Sequence, residues 1–446
     1  MAFSPEVSTV PIGTRTIQKV RIRILSFVFL LYVIAILDRV NIGFAALTMN
    51  KELGITSQQF GLLAGIFFLG YFIFEVPSNL LLYKIGARIW IARILISWGT
   101  VAVLTGFVQT VHQLYLARFL LGLAEAGYGP GVLLYLTYWF RRQEQAQAIA
   151  LLLTGVPVAN FVGAPLSGLI LDHIHWLGVS SWRWLLILEG IPAVVGGFLT
   201  YFLLPNRPAE AKFLNEEEKD WISSEVLREE RQKLARHRIS TIKVFTNGRV
   251  WHLICAGFAF FVTTAAIIFW IPQLVKSLLA GHSNTAIGFV VMIPNLAAML
   301  AMFLVSRSSD RKLERRYHAA TPVVIGGLAL LVLGTTHSAF FSVALVSLAA
   351  AGVFSFYGPY FALPFEFLTG LSAASGIAFI NSFGHLGAFI GLSAVGWITH
   401  KTGSLYSGLA LAGVSSFVSA ALVLLLPKQA RSSAESSPLR LDTSVG

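Results

Sequence analysis

Charged residues are scarce in this sequence. Only 12% of its 446 residues are Asp, Glu, Lys or Arg, whereas about 25% is usual for a soluble globular domain. Hydrophobic residues make up 56% of the chain, and the mean hydropathy is +0.73. This composition excludes a water-soluble globular protein.

Cysteine is almost absent as well. The single Cys255 lies in an apolar segment, so the sequence contains no disulfide framework and no cysteine-based metal site. The sequence also contains no Walker A loop, the motif that binds ATP. The first apolar run is too long for a cleavable signal peptide, and no small-residue cleavage site follows it. We therefore expect no metal, no ATP and no other cofactor.

Long apolar runs are abundant instead. A window of about 20 residues, the length that spans a bilayer, finds twelve of them. They start near residues 24, 59, 90, 111, 146, 184, 250, 285, 319, 339, 372 and 403. The sequence predicts an all-α membrane protein with two six-helix bundles at 24–204 and 250–426. The remaining segments are a cytoplasmic N-terminal segment (1–23), a cytoplasmic linker (205–249) and a disordered cytoplasmic tail (427–446).

The positive charges indicate how these helices cross the membrane. Of the 33 Lys and Arg residues, 27 fall on one side if the N-terminus is cytoplasmic, and only four fall in the opposite loops. Cytoplasmic loops carry such an excess of Lys and Arg. We expect a multi-pass protein of the plasma membrane, the inner membrane in a bacterium, with both termini cytoplasmic. The net charge of +12 therefore reflects topology, and we expect no nucleic-acid partner.

The two halves also repeat each other, since basic loops follow both the second and the eighth apolar run. The later loop contains Asp310, Arg311 and Arg315 and resembles the loop signature of the major facilitator superfamily. Four further strings resemble its anion:cation symporter branch, including the tartrate, phthalate and 4-hydroxyphenylacetate permeases. They are Asp38-Arg39-Val-Asn41, Arg118-Phe-Leu-Leu-Gly-Leu-Ala-Glu-Ala-Gly127, Gly358-Pro-Tyr-Phe-Ala-Leu-Pro364 and Asn381-Ser-Phe-Gly384.

This resemblance implies twelve helices around a central cavity and roles for the charges inside the membrane. It assigns Arg39 to substrate binding, Asp38 and Glu125 to proton coupling, and Arg118 to charge pairing. The chemistry agrees, because a transported carboxylate that leaves water needs a fixed cation, and Arg binds it with two parallel hydrogen bonds. Asp310, Arg311 and Arg315 would form a cytoplasmic gate loop.

Helix spacing places the charged residues at related depths. Asp38 lies 14 residues into the first run and Arg118 near the outer end of the fourth, so both should lie in the outer half of the membrane. Glu125 follows Arg118 by seven residues, nearly two turns, and should lie on the same face about 10 Å deeper. We predict a carboxylate–arginine–carboxylate ladder between the first and fourth helices. The alternative is a set of static ion pairs.

Further residues inside the membrane complete the predicted site. The resemblance marks Asn381 as a substrate ligand, although an interhelical hydrogen bond is the alternative, and Asn160 is a second candidate. His385 could hydrogen-bond a neighbouring helix, alter selectivity or add a second titrating group, and Glu75 is more typical of a structural or gate contact than of a coupling site. Aromatic residues could line the cavity, with lipid contact or simple packing as the alternative: Tyr32, Tyr71, Trp270, Tyr357 and Tyr360.

We therefore predict a monomeric, proton-coupled symporter that imports a small organic carboxylate by alternating access. The substrate would be a hydroxy acid, a sugar acid or an aromatic acid, and its only other partner is the lipid bilayer. An anion exchanger or a sodium-coupled carrier of the same fold is the alternative. An enzyme is not expected, because no nucleophile–base pair or His-Glu-x-x-His pattern is present.

Overall fold

The computed structural model describes residues 11–236, 242–336, 338–368 and 370–426, and within them every regular element is a helix. Twelve helices are long and apolar enough to cross a membrane, and we number them α1 to α12. They are Ile12–Glu52, Ser57–Ile85, Ala87–Thr105, Val111–Thr137, Gln147–His173, Ser181–Leu203, Gly248–Leu278, Asn284–Lys312, Arg316–Thr335, Ala339–Ala362, Gly376–Thr402 and Leu405–Leu425. The predicted all-α, twelve-helix fold is confirmed. The predicted tail at 427–446 lies outside the described residues.

The helix boundaries agree with the apolar runs except at the N-terminus. There, α1 begins at Ile12 rather than near residue 24, and its first turns pass through a π-helical stretch at Arg21–Leu25. Ile17, Val20 and Ile24 are buried, three or four residues apart, so one face of this extension packs against the protein. A hydropathy window misses it because its other face is basic.

Equivalent helices pack in equivalent ways in the two sets of six. In the first set α3 packs against α6, α2 against α4, and α1 against both α5 and α6. In the second set α9 packs against α12, α8 against α10, and α7 against both α11 and α12. The matching pattern is the one expected of a duplicated six-helix unit in parallel orientation.

Three seams join the two sets: α2 with α11, α5 with α8, and α1 with α7. Glycines allow the backbones of α2 and α11 to touch, since a Cβ on Gly61 would lie 2.4 Å from the carbonyl oxygen of Leu392. The same is true where Gly168 of α5 meets the backbone of Asn284 at the start of α8. These contacts lie toward the loops that follow α1, α5, α7 and α11, which we call the distal face.

A break in α4 shapes the centre of the first bundle. The regular helix ends at Glu125, and Gly127 adopts a left-handed conformation (φ 84°) before the helix resumes at Tyr128. A Cβ on Gly127 would lie 2.4 Å from Ser78 Oγ, and one on Gly122 would lie 2.0 Å from the carbonyl oxygen of Phe67. Glycine therefore brings α4 against α2 and places Glu125 at the end of a helical segment.

The linker between the bundles contains a helix, Glu216–Arg236. Its N-terminus is capped, because Asn215 Oδ1 accepts from the Glu218 amide at 2.9 Å and the Asn215 amide donates to the Glu218 side chain at 3.1 Å. Glu218 also accepts hydrogen bonds from Arg15 and Lys19 of α1, so the linker helix is joined to the N-terminal extension.

Candidate functional site

A buried ion pair joins α1 to α4. Arg39 donates through Nε to Glu125 Oε1 at 3.0 Å, and its Nη2 donates to the same oxygen. The Glu125 side chain is fully buried, whereas 19% of the Arg39 side chain remains exposed. The guanidinium is therefore the part of this pair that a solute could reach, while its counter-ion is sealed behind it.

Aromatic rings surround this guanidinium. Arg39 Cζ lies 5.3 Å from the ring centre of Tyr71 and 5.6 Å from that of Phe67, distances at which the ring faces attract a cation. Tyr32 is half-buried on α1 nearly two turns before Arg39, and Tyr357 of α10 is half-buried too. The predicted aromatic residues Tyr32, Tyr71 and Tyr357 are thus compatible with a cavity wall around Arg39.

Asp38 does not face the same way as Arg39. It is 1% exposed, accepts a short hydrogen bond from Trp98 Nε1 of α3, and accepts another from Asn41 Nδ2 at 3.2 Å. Its charge is therefore stabilised by two neutral donors inside the first bundle rather than by a direct ion pair. Glu189 of α6 belongs to the same interior, where it accepts from Ser167 at 3.1 Å.

Arg118 is buried without a direct ion pair among the described residues. Its guanidinium carbon lies 5.0 Å from the ring centre of Phe67, and its Nε and Nη2 have no hydrogen-bond partner there. Phe67 thus lies between Arg118 and Arg39. The predicted ladder of Asp38, Arg118 and Glu125 is not formed by direct contacts among the described residues, because Glu125 pairs with Arg39 and Asp38 accepts from Trp98 and Asn41.

A second carboxylate contact crosses from one bundle to the other. Glu75 of α2, 1% exposed, accepts from Asn381 Nδ2 at 3.3 Å and from Ser382 Oγ, both on α11. Asn381 also lies 3.2 Å from His385 Nε2. The His385 ring is 4.5 Å from that of Tyr71, so this group adjoins the surroundings of Arg39.

The other predicted residues lie apart from Arg39. Asn160 donates to its own helix at 3.0 Å, and its carbonyl oxygen accepts from Asn295 of α8 at 3.2 Å. Trp270 is buried edge-on against Phe60, with ring centres 5.0 Å apart. Tyr360 is buried and donates to the carbonyl oxygen of Leu253 at 2.6 Å. Packing, rather than an open cavity, surrounds Trp270 and Tyr360, so the geometry lends no support to them as ligands.

The predicted gate loop forms contacts within the second bundle. Asp310 and Arg315 form an ion pair, and Arg315 Nη1 lies 3.2 Å from Ser309 Oγ. Glu314 accepts from the amide of Tyr317 at 2.8 Å and so caps the start of α9. Arg311 is exposed.

Sequence reasoning missed Trp98 and Ser382. Each donates to a carboxylate on a helix remote in sequence, and neither lies in a charged or repeated pattern. Ser382 directly follows Asn381 within one of the strings that resemble the family, so its position was the one signal in the sequence that could have indicated it. In the described ranges, no three or more His, Cys, Asp or Glu side chains lie close enough together to bind a metal ion.

The comparisons with known proteins agree with this architecture. The family model described as Major Facilitator Superfamily matches residues 28–392. The chain is 40% identical over 430 residues to a "Putative tartrate transporter" of Agrobacterium vitis, covering 94% of this chain and 96% of that protein. It is 38% identical over 425 residues to the "Putative metabolite transport protein NicT" of Pseudomonas putida, covering 93% and 95%.

A solved structure shares the fold. It is that of a bacterial homologue of the human lysosomal transporter Spinster, in an inward-facing and occupied conformation. The TM-score is 0.71 at 18% identity, and the superposition covers 91% of this chain and 94% of the other.

Proposed function

The chain belongs to the Major Facilitator Superfamily, and we propose that it imports small organic carboxylates together with protons. The pair of Arg39 with Glu125 is the observation that carries this proposal. It offers a partly exposed guanidinium whose internal partner is a fully buried carboxylate.

Exchange of partners at Arg39 can link the proton to the substrate. When Glu125 takes up a proton, its attraction for the guanidinium falls, and both Arg39 donors become available to a substrate carboxylate. When the substrate leaves, Arg39 would remain as an unpaired buried cation unless Glu125 lost its proton, a state that costs several kcal/mol. Protonation of Glu125 therefore favours binding of the substrate to Arg39, and release of the substrate favours loss of the proton from Glu125.

Asp38 supplies a second carboxyl in the same bundle. Asp38 is adjacent to Arg39 in the sequence, but it is buried and accepts hydrogen bonds from Trp98 and Asn41. It can therefore change its charge without contacting the substrate. In this proposal Asp38 exchanges protons alongside Glu125, Arg118 supplies a nearby positive charge, and Asn381 contributes the contact from the second bundle. Rocking of the bundles around this site would alternate its access.

The names of the relatives support an organic acid as the cargo. Tartrate is a hydroxy acid with two carboxylates, and the relative named for it matches nearly the whole of this chain. We extend the proposal to the inner membrane of a bacterium, with both termini cytoplasmic, and to a monomer that needs no cofactor other than the proton.

Uptake into proteoliposomes tests the proposal. The full chain is reconstituted, and accumulation of labelled tartrate, threonate and nicotinate is measured with an inward proton gradient, with an inward sodium gradient and with neither. The proposal predicts accumulation of at least one acid with the proton gradient alone. Dissipation of the gradient with a protonophore should abolish that accumulation.

Two other outcomes define the alternatives. Accumulation that needs sodium would identify a sodium-coupled carrier and contradict proton coupling. Uptake that needs an acid loaded inside the vesicles, with no response to either gradient, would identify an anion exchanger.

A further inference from the structure

The contact between Glu75 and α11 has the form of a carboxylate receptor. Asn381 Nδ2 and Ser382 Oγ come from adjacent residues and donate to different oxygens of one carboxylate. Each oxygen of the carboxylate thus receives one hydrogen bond, a two-point geometry like the one that Arg provides for carboxylates. Here the carboxylate is the side chain of Glu75, which lies in the first bundle, whereas the two donors lie in the second.

The neighbourhood of Glu75 contains no direct counter-ion. No ion pair within 4 Å involves Glu75 among the described salt bridges, and its hydrogen-bond partners are an amide and a hydroxyl. The charged and titratable groups around it are Arg39 and Tyr71 from the first bundle and His385 from the second. A buried carboxylate held by two neutral donors is bound firmly enough to be ordered but can be exchanged for another carboxylate.

This group adjoins the Arg39 site. Tyr71 contacts Arg39 on one side and His385 on the other, with 5.3 Å from the guanidinium carbon to the Tyr71 ring centre and 4.5 Å between the Tyr71 and His385 rings. His385 in turn lies 3.2 Å from Asn381. Asn381 is half-buried, whereas Glu75 and Ser382 are buried, so the amide is the accessible part of the receptor.

We propose that Asn381 and Ser382 form a second carboxylate-binding subsite, which Glu75 occupies in this conformation and which takes the second carboxylate of a dicarboxylate substrate. One substrate carboxylate replaces Glu125 on Arg39, and the other replaces Glu75 on the α11 donors. The inference rests on the proposed function, since it takes Arg39 as the anchor of the first carboxylate. It makes the substrate itself the bridge between the two bundles, in place of Glu75.

The test compares two probes that differ by one carboxylate. L-tartrate and L-threonate share a four-carbon chain and its hydroxyls, but threonate has a hydroxymethyl group where tartrate has its second carboxylate. Binding of each to the purified full chain in detergent is measured by titration calorimetry. The subsite predicts that the wild type binds tartrate about tenfold more tightly than threonate, because only tartrate offers a second carboxylate that can take the two donors from Glu75.

Substitutions assign this preference to the proposed donors. Ser382→Ala should reduce the preference for tartrate to less than about threefold while leaving threonate binding unchanged, because one of the two donors is lost. Ser393→Ala, on the same helix but outside this group, is the matched control and should leave the preference intact. Glu75→Gln should tighten tartrate about fivefold, since the internal competitor loses its charge, and should change threonate by less than twofold.

The outcomes separate this inference from the function it rests on. Equal affinities of the wild type for the two probes, no binding of tartrate, or a preference that survives Ser382→Ala would each overturn the second subsite. The double variant Arg39→Ala/Glu125→Gln removes both charges of the first pair without leaving either unpaired, and it should abolish binding of both probes. If it binds both as the wild type does, the proposed function fails instead.

Discussion

Arg39 and Arg118 both lie in the interior of the first bundle, but their positive charges have different partners. Arg39 has a carboxylate as its direct partner and two neighbouring aromatic rings, Phe67 and Tyr71, in contact with its guanidinium. Arg118 has the face of Phe67, with the carboxylates of Asp38 and Glu125 acting on it only at longer range. A buried cation without a direct partner is costly, so Arg118 is the more strained of the two and depends on the charge state of both carboxyls.

Asp38 is the residue at which loss of coupling should be clearest. Asp38→Asn keeps the shape of the side chain but cannot exchange a proton, so it should abolish accumulation driven by a proton gradient while leaving substrate counterflow in place. Uptake assays in proteoliposomes measure both. Arg39→Ala should instead abolish binding itself. Unimpaired gradient-driven uptake by Asp38→Asn would contradict the role of Asp38 in coupling.

Trp98 should matter for stability through one hydrogen bond. Trp98→Phe keeps an aromatic ring, though a smaller one, and removes the donor to Asp38; a hydrogen bond to a charged group contributes about 1.5–3 kcal/mol. Trp270→Phe is the control, since Trp270 is equally buried and its Nε1 has no hydrogen-bond partner among the described residues. Denaturant unfolding in detergent should show the larger loss for Trp98→Phe. Equal losses would mean that the Trp98 hydrogen bond contributes nothing beyond packing.

At the scale of whole helices, the contact between α5 and α8 is the most specific of the three seams. Asp172 at the end of α5 accepts from the amide and side chain of Asn284 at 3.0 and 2.8 Å, and from the amide and hydroxyl of Thr285 at 2.6 and 2.7 Å. It therefore caps the N-terminus of a helix in the other bundle, where backbone amides lack internal partners. In the proposed alternating access, this cap breaks when the distal face opens.

Removal of this cap should favour opening of the distal face. Asp172→Asn replaces acceptor lone pairs by an NH2 group that faces the α8 amides, so it should speed thiol labelling at Ser393→Cys by about tenfold. The measurement is made in a Cys255→Ser background, because Cys255 is exposed. Ser283→Ala removes a cap within α8 that does not cross the seam and should leave the labelling rate nearly unchanged. Equal rates in Asp172→Asn and the wild type would contradict the proposed lock.

The linker helix makes the other charged contact between elements. Glu218 is buried against Arg15 and Lys19, with Arg15 Nε and Lys19 Nζ each 2.8 Å from Oε1. Burial raises the pKa of Glu218, but hydrogen bonds from Lys19, the Asn215 backbone and Arg15 lower it by more, so the pKa lies below its ordinary value of 4.5. The contact ties the linker to the N-terminal extension of α1.

The pH dependence of this contact follows from that depressed pKa. A carboxyl whose pKa is lower in the folded state contributes stability that is fully present above its unfolded pKa and is lost as the pH falls through the folded value. The protection factors of the amides at 12–20 and 216–229, which correct the observed rates for the intrinsic pH dependence of exchange, should therefore be equal at pH 7 and pH 6 and should fall in acid below pH about 4.5. Glu218→Gln should lower them at pH 7 and pH 6, whereas Glu217→Gln, at an exposed neighbour, should not. Protection factors that stay constant from neutral to acid pH would contradict the charged contact.

On the scale of the whole molecule, charge and hydropathy divide the surface. Large apolar side chains such as Phe202, Phe303 and Phe340 are exposed on the spanning helices, as a protein solvated by lipid requires. The basic residues concentrate instead in the connections on the same side as the linker helix. This distribution is the basis for the prediction that the linker and both termini lie in the cytoplasm.

Reporter fusions test that orientation. Green fluorescent protein fused to the C-terminus of the full chain should fluoresce, and alkaline phosphatase at the same point should be inactive, because the basic side stays in the cytoplasm. Phosphatase inserted after Gly281, in the loop between α7 and α8, should be active. The reverse pattern would invert the topology and with it the direction assigned to transport.

The sequence by itself determined the twelve spanning helices, their duplication and the position of Asp38 and Arg39 within the first of them. These properties are local, because lipid solvates each helix separately and a charge within an apolar run is costly whatever surrounds it. Only the tertiary structure decided that Arg39 pairs with Glu125, that Trp98 holds Asp38, and that Glu75 meets Ser382. Periodicity shows which face of a helix a residue occupies, whereas its partners depend on which helices lie opposite and where α4 breaks at Gly127.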